Sequence, residues 1–392
     1  MTNLRKSFAA PAAHRAGGFT LVELMVAMAL GLVLMVGVAS AYLFTKTAFT
    51  RQAQLSSIQQ GVRTAFEYLG SDARMVGHLG CFTNSPSNPT NDLVSGALPA
   101  TVATNYALGI EGYEFDNTTA GAYTISADSP ADITDPSKWR TNLTGLTTVP
   151  LAALGGGLTP GGDVLVIRTV VGKPIRLTAN TSSAGDSLAI ENIAGGTCSD
   201  GTTAMVSGFC PGSHGLIASC SAARVFSVNT VAGSTLTPVA GAAGAYPVYA
   251  QATAEVFPMQ TVAYYVKRSS NNRSTSLYRR VFNGDPVAGV ESELIEGVES
   301  MQLRFGRDTT VDPDGIIDDY KNAQDVTDWS RVVTIRMSLL LRSETAAAGD
   351  VALATTGRVN DVTVSYPTGS KFDRRVFTST VAIRNKISYF PP

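Results

Sequence analysis

The chain has 392 residues, 44% of them hydrophobic and 16% charged, with 37 Gly and 18 Pro. That length suits one large domain or two to three ordinary ones, and a composition low in charge and rich in small residues excludes a coiled coil or a disordered tail. Thirty basic residues against 31 acidic ones leave a net charge of −1, so no overall basic field exists to hold nucleic acid, and no nucleic-acid partner is expected.

Residues 1–18 contain Arg5, Lys6, His14 and Arg15, no acid, and end in Gly17-Gly18. An ordinary secretory signal places its apolar region before a small-residue cleavage site. Here the glycines precede the apolar run FTLVELMVAMALGLVLMVGVASAYLF, so the run stays in the mature chain after a cut at Gly18. No formal charge occurs from Leu24 to Phe44, and a helix of that length, at about 1.5 Å per residue, spans the roughly 30 Å hydrocarbon core. The basic leader then lies on the cytoplasmic side. Glu23, just inside the apolar run, is costly in lipid. Either a positive amino terminus at Phe19, on the same chain or a neighbour, neutralises it, or it rests among headgroups as an interfacial carboxylate.

The stretch GGFTLVELMVAMALG, Gly17 to Gly31, resembles the type III signal of type IV pilins and pseudopilins. The resemblance implies that a prepilin peptidase cuts after Gly18 and methylates Phe19, and that the Glu23 carboxylate registers one subunit against another. It also implies a single-pass protein of the bacterial inner membrane, its head in the periplasm, that later enters a filament.

Beyond the membrane span, Leu55, Ile58, Val62, Phe66, Leu69, Ala73 and Val76 recur every three or four residues, with Arg51, Gln52, Gln59, Arg63 and Arg74 elsewhere on the wheel. This spacing predicts one continuous helix from Phe19 to about His78 whose second half packs on a globular head. Gly77, Gly80 and the stretch SPSNPTN at 85–91 end it. The expected organisation is a leader at 1–18, a membrane or filament-core helix at 19–44, an amphipathic continuation at 45–78 and a β-rich periplasmic head at 79–392.

Within the head, RVVTIRMSLLLR at 331–342 alternates Val333, Ile335, Met337, Leu339 and Leu341 with Thr334, Arg336, Ser338 and Arg342, the pattern of a strand packed on one face. Residues 376–384 repeat the pattern, and MQLRF at 301–305 is a third strand. VAYYVKR and SLYRRVF, joined by SSNNRST, read as a hairpin with one packed and one wet face. GDVLVIRTVV at 162–171 and ARVFSVN at 223–229 add further strands, and 85–160 and the Gly-rich 194–215 read as looser insertions. The expected class is α+β: a long amino-terminal helix packed on antiparallel sheet, the type IV pilin fold by resemblance. Residues 306–344, with LGCF after the helix, are similar to the PilW family of minor pilins, larger relatives of the J-type pseudopilins of type II secretion. That likeness implies other minor pilins, the major pilin and a tip adhesin as partners, and a part in pilus assembly, adhesion and twitching motility. A J-type pseudopilin, or an anchored binding protein that never polymerises, is the alternative.

Cys81, Cys198, Cys210 and Cys220 form no C-x-x-C pair, so two disulfides in an exported protein are expected rather than zinc. Cys198 and Cys210 bracket a short Gly-containing stretch that can close on itself, leaving Cys81 to Cys220; the other two pairings stay open. The one metal candidate is TVDPDGIIDDYK, where Thr310, Asp312, Asp314 and Asp318 fall at the first, third, fifth and ninth positions of an EF-hand-like loop. Thr310 and Lys321 stand where Asp and Glu are needed, so calcium binding is expected to be weak, and a solvated turn competes with it. No H-E-x-x-H, G-x-S-x-G or Walker motif occurs, and an enzyme is not expected. His78 reads as a capping or packing residue and His214, in GSHG, as a loop residue.

Overall fold

A computed structural model describes Gly18 and residues 20–82, 101–106, 108–116, 121–128, 130–143, 149–181, 187–239, 248–284, 288–310, 314–346 and 353–386. Helix α1, Leu21–Arg74, runs for 54 residues. The chain divides into two compact units, Met1–Ala53 and Gln54–Pro392. The helix lacks proline, and it stops at Arg74, four residues before His78. Met75–Gly77 form a turn in which Gly77 takes φ +75°, a left-handed conformation that closes helices and that side chains with a Cβ rarely adopt.

The principal strands of the head are β1 Ile110–Phe115, β2 Ala122–Thr124, β3 Val164–Val170, β4 His214–Ala218, β5 Ala223–Ala232, β6 Glu255–Arg268 and β7 Thr275–Phe282. They continue with β8 Val290–Glu296, β9 Val298–Arg307, β10 Asp319–Lys321, β11 Val332–Arg342, β12 Thr356–Val359, β13 Val362–Ser365 and β14 Arg374–Ala382. An eleven-stranded sheet is built around β6. One side of β6 pairs with β3, which β1 then joins. Its other side pairs with β4 along its first half and with β7 along its second. A second sheet has the order β10–β9–β11–β14, antiparallel throughout. A third, small sheet joins β12, β13 and β2, the last pair parallel. At the step from the first sheet to the second, Gly297 takes φ +90°, and a Cβ there would meet the Arg342 carbonyl oxygen at 2.8 Å.

Ile58, Val62, Ala65, Leu69 and Ala73 of α1 share one core with Ile167 and Tyr264 of the large sheet and with Phe305, Ile335 and Met337 of the second. A long apolar helix and several antiparallel sheets make the class α+β, consistent with the type IV pilin fold.

Three expectations change. Strand β11 is buried on both faces, because Leu340 on its second face packs with Val359, Val362 and Val364 of the small sheet. Two of its polar residues there find partners in place: the Ser338 hydroxyl donates to Asn360 Oδ1 at 2.8 Å, and the Arg342 Nη atoms donate to the carbonyls of Asp128 and Arg273. The β6–β7 hairpin has no wet face either, since Ala263, Tyr265, Tyr278 and Phe282 pack with Trp139, Leu154 and Leu158. These last residues come from the 85–160 region expected to be loose, and that region also supplies β1 beside β3 in the large sheet. Alternation reports the polar side of a strand, and it reads the same whether water or a hydrogen-bonded second layer covers that side.

Candidate functional site

Sequence points to the amino-terminal helix as the functional element. Gly18 is exposed; Phe19 lies outside the described residues. Thr20 caps the helix: its Oγ1 accepts from the Glu23 N–H at 3.2 Å, and its carbonyl accepts from the Leu24 N–H at 3.1 Å. Thr20 and Glu23 thus stand in the S/T-x-x-E spacing of a capping box, with the carboxylate in the first turn, where the helix dipole favours a negative charge. Beyond it the side chains are apolar on every face and exposed, among them Leu34, Val38 and Phe44. Hydroxyls further along donate back to their own helix, Ser40 to the Val36 carbonyl and Thr45 to that of Ala41, each at 2.8 Å. Back-bonding of this kind keeps Ser and Thr hydroxyls from facing an apolar medium unsatisfied. It is the one helix among the described residues long and apolar enough to cross a membrane.

From Gln54 onward the same helix is a fixture of the head. Asp72 sits among the apolar stripe and accepts from the Tyr264 hydroxyl at 2.5 Å and from Arg279 Nε and Nη2 at 3.1 and 3.0 Å. The Arg279 guanidinium also lies 5.9 Å from the centre of the Tyr68 ring. Asn385 closes the helix end by donating to the carbonyls of Arg74 and Val76 at 3.2 and 3.1 Å. Cys81, seven residues past the helix, is bonded to Cys220, and Cys198 is bonded to Cys210. The second bond closes part of the 194–215 stretch, which contains a two-stranded ribbon, Gly195–Thr197 with Ala204–Val206. Pattern reading missed the Asp72–Tyr264–Arg279 cluster; its one signal is an acid in the middle of an apolar stripe, opposite a hairpin carrying an arginine.

A buried charge cluster ties β9 and β14 of the second sheet to the loop that follows β2. Arg374 grips Glu299 with two hydrogen bonds, 2.7 and 2.9 Å, and reaches Asp128 at 2.7 Å. Arg374 and Glu299 are both almost fully buried, so each charge depends on the other.

The acidic loop is organised around itself. Asp308, which no motif singled out, is buried. Its carboxylate accepts from the Thr310 hydroxyl at 2.6 Å and from the Gly315 N–H at 2.7 Å. Burial opposes its ionisation, but these hydrogen bonds prevail and hold its pKa below the usual carboxylate value. Asp318 accepts from the Thr309 N–H and hydroxyl, and Asp314 from the Ile316 N–H. Asp312 lies outside the described residues. The donor set therefore fits a hydrogen-bonded turn, and among the described residues no group of three or more His, Cys, Asp or Glu is placed to hold a metal ion.

His78 and His214 are packed. His78 lies edge-on to Phe257, with ring centres 6.1 Å apart. His214 is the first residue of β4 rather than a loop residue. Its ring lies 5.4 Å from that of Tyr106, and burial lowers its pKa to about 4. Tyr264, Tyr265, Tyr278 and Phe282 are buried, so they offer no stacking platform for bases.

Comparison with known proteins gives two matches. Residues 13–39 match the family model described as the prokaryotic N-terminal methylation motif. Residues 263–385, from β6 through β14, match that of the type IV pilus-assembly protein W. No curated protein matches, and no solved structure matches. The chain is thus similar to PilW-type pilus-assembly proteins over 263–385, consistent with a PilW-family minor pilin, and its methylation motif is of the kind that marks a substrate of a prepilin peptidase. An amino-terminal apolar helix with that motif fits a protein anchored in the inner membrane.

Proposed function

We propose that this chain, carrying the methylation motif at one end and the PilW pattern at the other, is a non-catalytic subunit that takes part in initiating pilus assembly and sits in a tip complex. What carries the reading is the joining of an all-round apolar helix, its Ser40 and Thr45 hydroxyls bonded back to its own carbonyls, to a large head through a second half locked by Asp72. Such a subunit can leave lipid for the core of a helical bundle without refolding its head. Gly18 is the residue before the cut and Phe19 the methylated terminus. Glu23, at the first turn, meets a neighbouring subunit's terminal ammonium once lipid is gone, an exchange of one apolar medium for another in which the carboxylate gains a partner. A head of this size crowds a tightly packed shaft, which favours a tip position beside other minor pilins and an adhesin, and so a role in adhesion and twitching motility.

Intact mass and amino-terminal sequencing of the protein from native membranes, with and without prepilin peptidase, test the reading. The expected product begins at N-methylated Phe19 only when the peptidase is present. Retention of residues 1–18, or cleavage beyond the apolar run, overturns it. Glu23→Ala is expected to leave membrane insertion intact and abolish incorporation into pili, whereas a simple anchor would tolerate the change.

A further inference from the structure

Among the described residues the second sheet ends at β14, which pairs with β11 on one side and with no strand on the other. At the two ends of that pairing the Ser343 N–H donates to the Asp373 carbonyl and the Ile383 N–H to the Val333 carbonyl, both at 2.8 Å. In an antiparallel ladder these bonds fix the phase: odd-numbered residues turn their backbone groups toward β11, while Val376, Thr378, Thr380 and Ala382 turn theirs outward. Among the described residues, none of those outward groups has a hydrogen-bond partner beyond β11.

Natural sheets blunt such edges with charges, proline, bulges or a covering segment. Strand β8, at an edge of the large sheet, follows that rule. It carries Glu291, Glu293 and Glu296, and its pairing with β7 slips register at Leu277/Tyr278. Strand β14 does not. Its nine residues pair with β11 in unbroken register and contain no proline. Its single exposed charge is Arg375, beside exposed Thr378, Thr380 and Ala382.

We infer that the outer edge of β14 is a docking edge for an extended strand of another polypeptide that carries acidic side chains at its two ends. Unpaired N–H and C=O groups in this alternation are complementary to an extended backbone. The ends of the edge are basic: Arg375 near its start and exposed Arg384 just past its finish, with no acid on the strand itself. Asp373 lies 3.3 Å from Arg375, but Arg375 is 54% exposed there, and a pair that open holds its partner weakly. A second copy fits poorly. Antiparallel self-pairing sets Arg375 against the Arg384 end of the other copy, parallel pairing sets Arg375 beside Arg375, and like charges across strands are unfavourable. The inference concerns the head alone and holds whether or not the chain enters a pilus.

The test uses the full chain in detergent micelles and, as probe, a fluorescent synthetic peptide of alternating Val and Thr with Glu at both ends, read by fluorescence anisotropy. Saturable binding is expected. It should weaken about tenfold or more when alternate peptide nitrogens are methylated, since those N–H donors are then lost. Lys in place of Glu at the peptide ends should weaken it as well. Thr380→Pro removes an outward N–H without touching the β11 ladder, and should abolish binding while the melting curve stays in place. Thr380→Lys blunts the edge by charge alone and should give the same loss. Absence of binding in the millimolar range, equal binding of the methylated peptide, or equal binding of the Lys-ended peptide would each overturn the inference. So would a dimer of the chain that Thr380→Lys dissolves, because a second copy would then fill the edge.

Discussion

The two halves of α1 are the same secondary structure with opposite relations to their surroundings. In the first, Leu34 is 70% exposed and Phe44 76%; in the second, Ala65, Leu69 and Ala73 are at 0%. Helix formation is local, set by a cap, good propensities and the absence of proline, so it carries through both halves. What differs is the apolar surface: an all-round coat demands a medium from outside the chain, whereas a stripe demands a sheet from within it. A single helix can therefore turn one half to an outside medium and serve with the other as a structural member of the head.

The largest expected effect breaks the second half. Leu69→Ala empties a fully buried site in the core that α1 shares with both sheets, and should cost about 2–5 kcal/mol of head stability. Denaturant unfolding followed by the fluorescence of Trp139 and Trp329, both buried in the head, measures it; a cost under about 1 kcal/mol would mean that the stripe is not what fixes the helix to the head. Next comes Asp72→Ala. It strands the Tyr264 hydroxyl and the Arg279 guanidinium, for a loss of about 1–3 kcal/mol. Asp72→Asn, which keeps an acceptor oxygen, should lose less. Equal losses would show that the charge, rather than the hydrogen-bond acceptor, matters.

A pH dependence sharpens the account of the platform under the second half. Buried Asp163 accepts from the Phe115 N–H of β1 at 3.0 Å and the Leu303 N–H of β9 at 2.8 Å, tying the two sheets together. Burial pushes its pKa up to about 7, against the pull of those two N–H groups. The unfolded carboxyl titrates near about 4, so its contribution to stability is complete below that pH and is lost as pH rises through about 7. His214 acts in the other sense. With a folded pKa of about 4, it contributes above roughly 6.5 and loses that contribution as pH falls toward 4. The two oppose each other between these limits, and from pH 6.5 to 8 the fall from Asp163 outweighs what remains of the rise from His214. Unfolding free energy should therefore fall by roughly 0.5 kcal/mol over that window, and Asp163→Asn should remove the fall. A wild-type profile already flat there would mean that Asp163 is ionised in the fold.

How much of this was legible in the sequence follows from the range of the interactions. The methylation motif, the helix and the alternating strands are written in neighbours a few residues apart, and GGFTLVELMV, residues 54–74 and 331–342 could be read directly. The buried second faces could not, because Ser338 and Arg342 look like surface residues until Asn360 and Asp128, distant in sequence, come to meet them. Asp72 was hidden for the same reason: its partners lie about two hundred residues away. The EF-hand-like spacing drew attention to Asp312, Asp314 and Asp318, while the residue that organises the described part of the loop is Asp308, outside that pattern. Spacing identifies which residues share a loop; it does not say whether their oxygens face an ion or the loop's own N–H groups.

The smallest expected effect is the one that isolates the first half. Leu34→Ala removes as large an apolar side chain as Leu69→Ala, from a site 70% exposed rather than closed. With no core to leave empty, the cavity and transfer costs both vanish for the head, and its unfolding free energy in micelles should stay within about 0.5 kcal/mol of the wild type. The loss should appear instead in the medium the helix occupies. Fewer apolar atoms in contact with lipid weaken insertion by an amount of the order of one buried Leu side chain, about 2 kcal/mol at most, and partition between vesicles and detergent would register it. If Leu34→Ala destabilised the head as Leu69→Ala does, the first half would be packed on protein within its own chain, and the division of α1 into an outward and an inward half would fall.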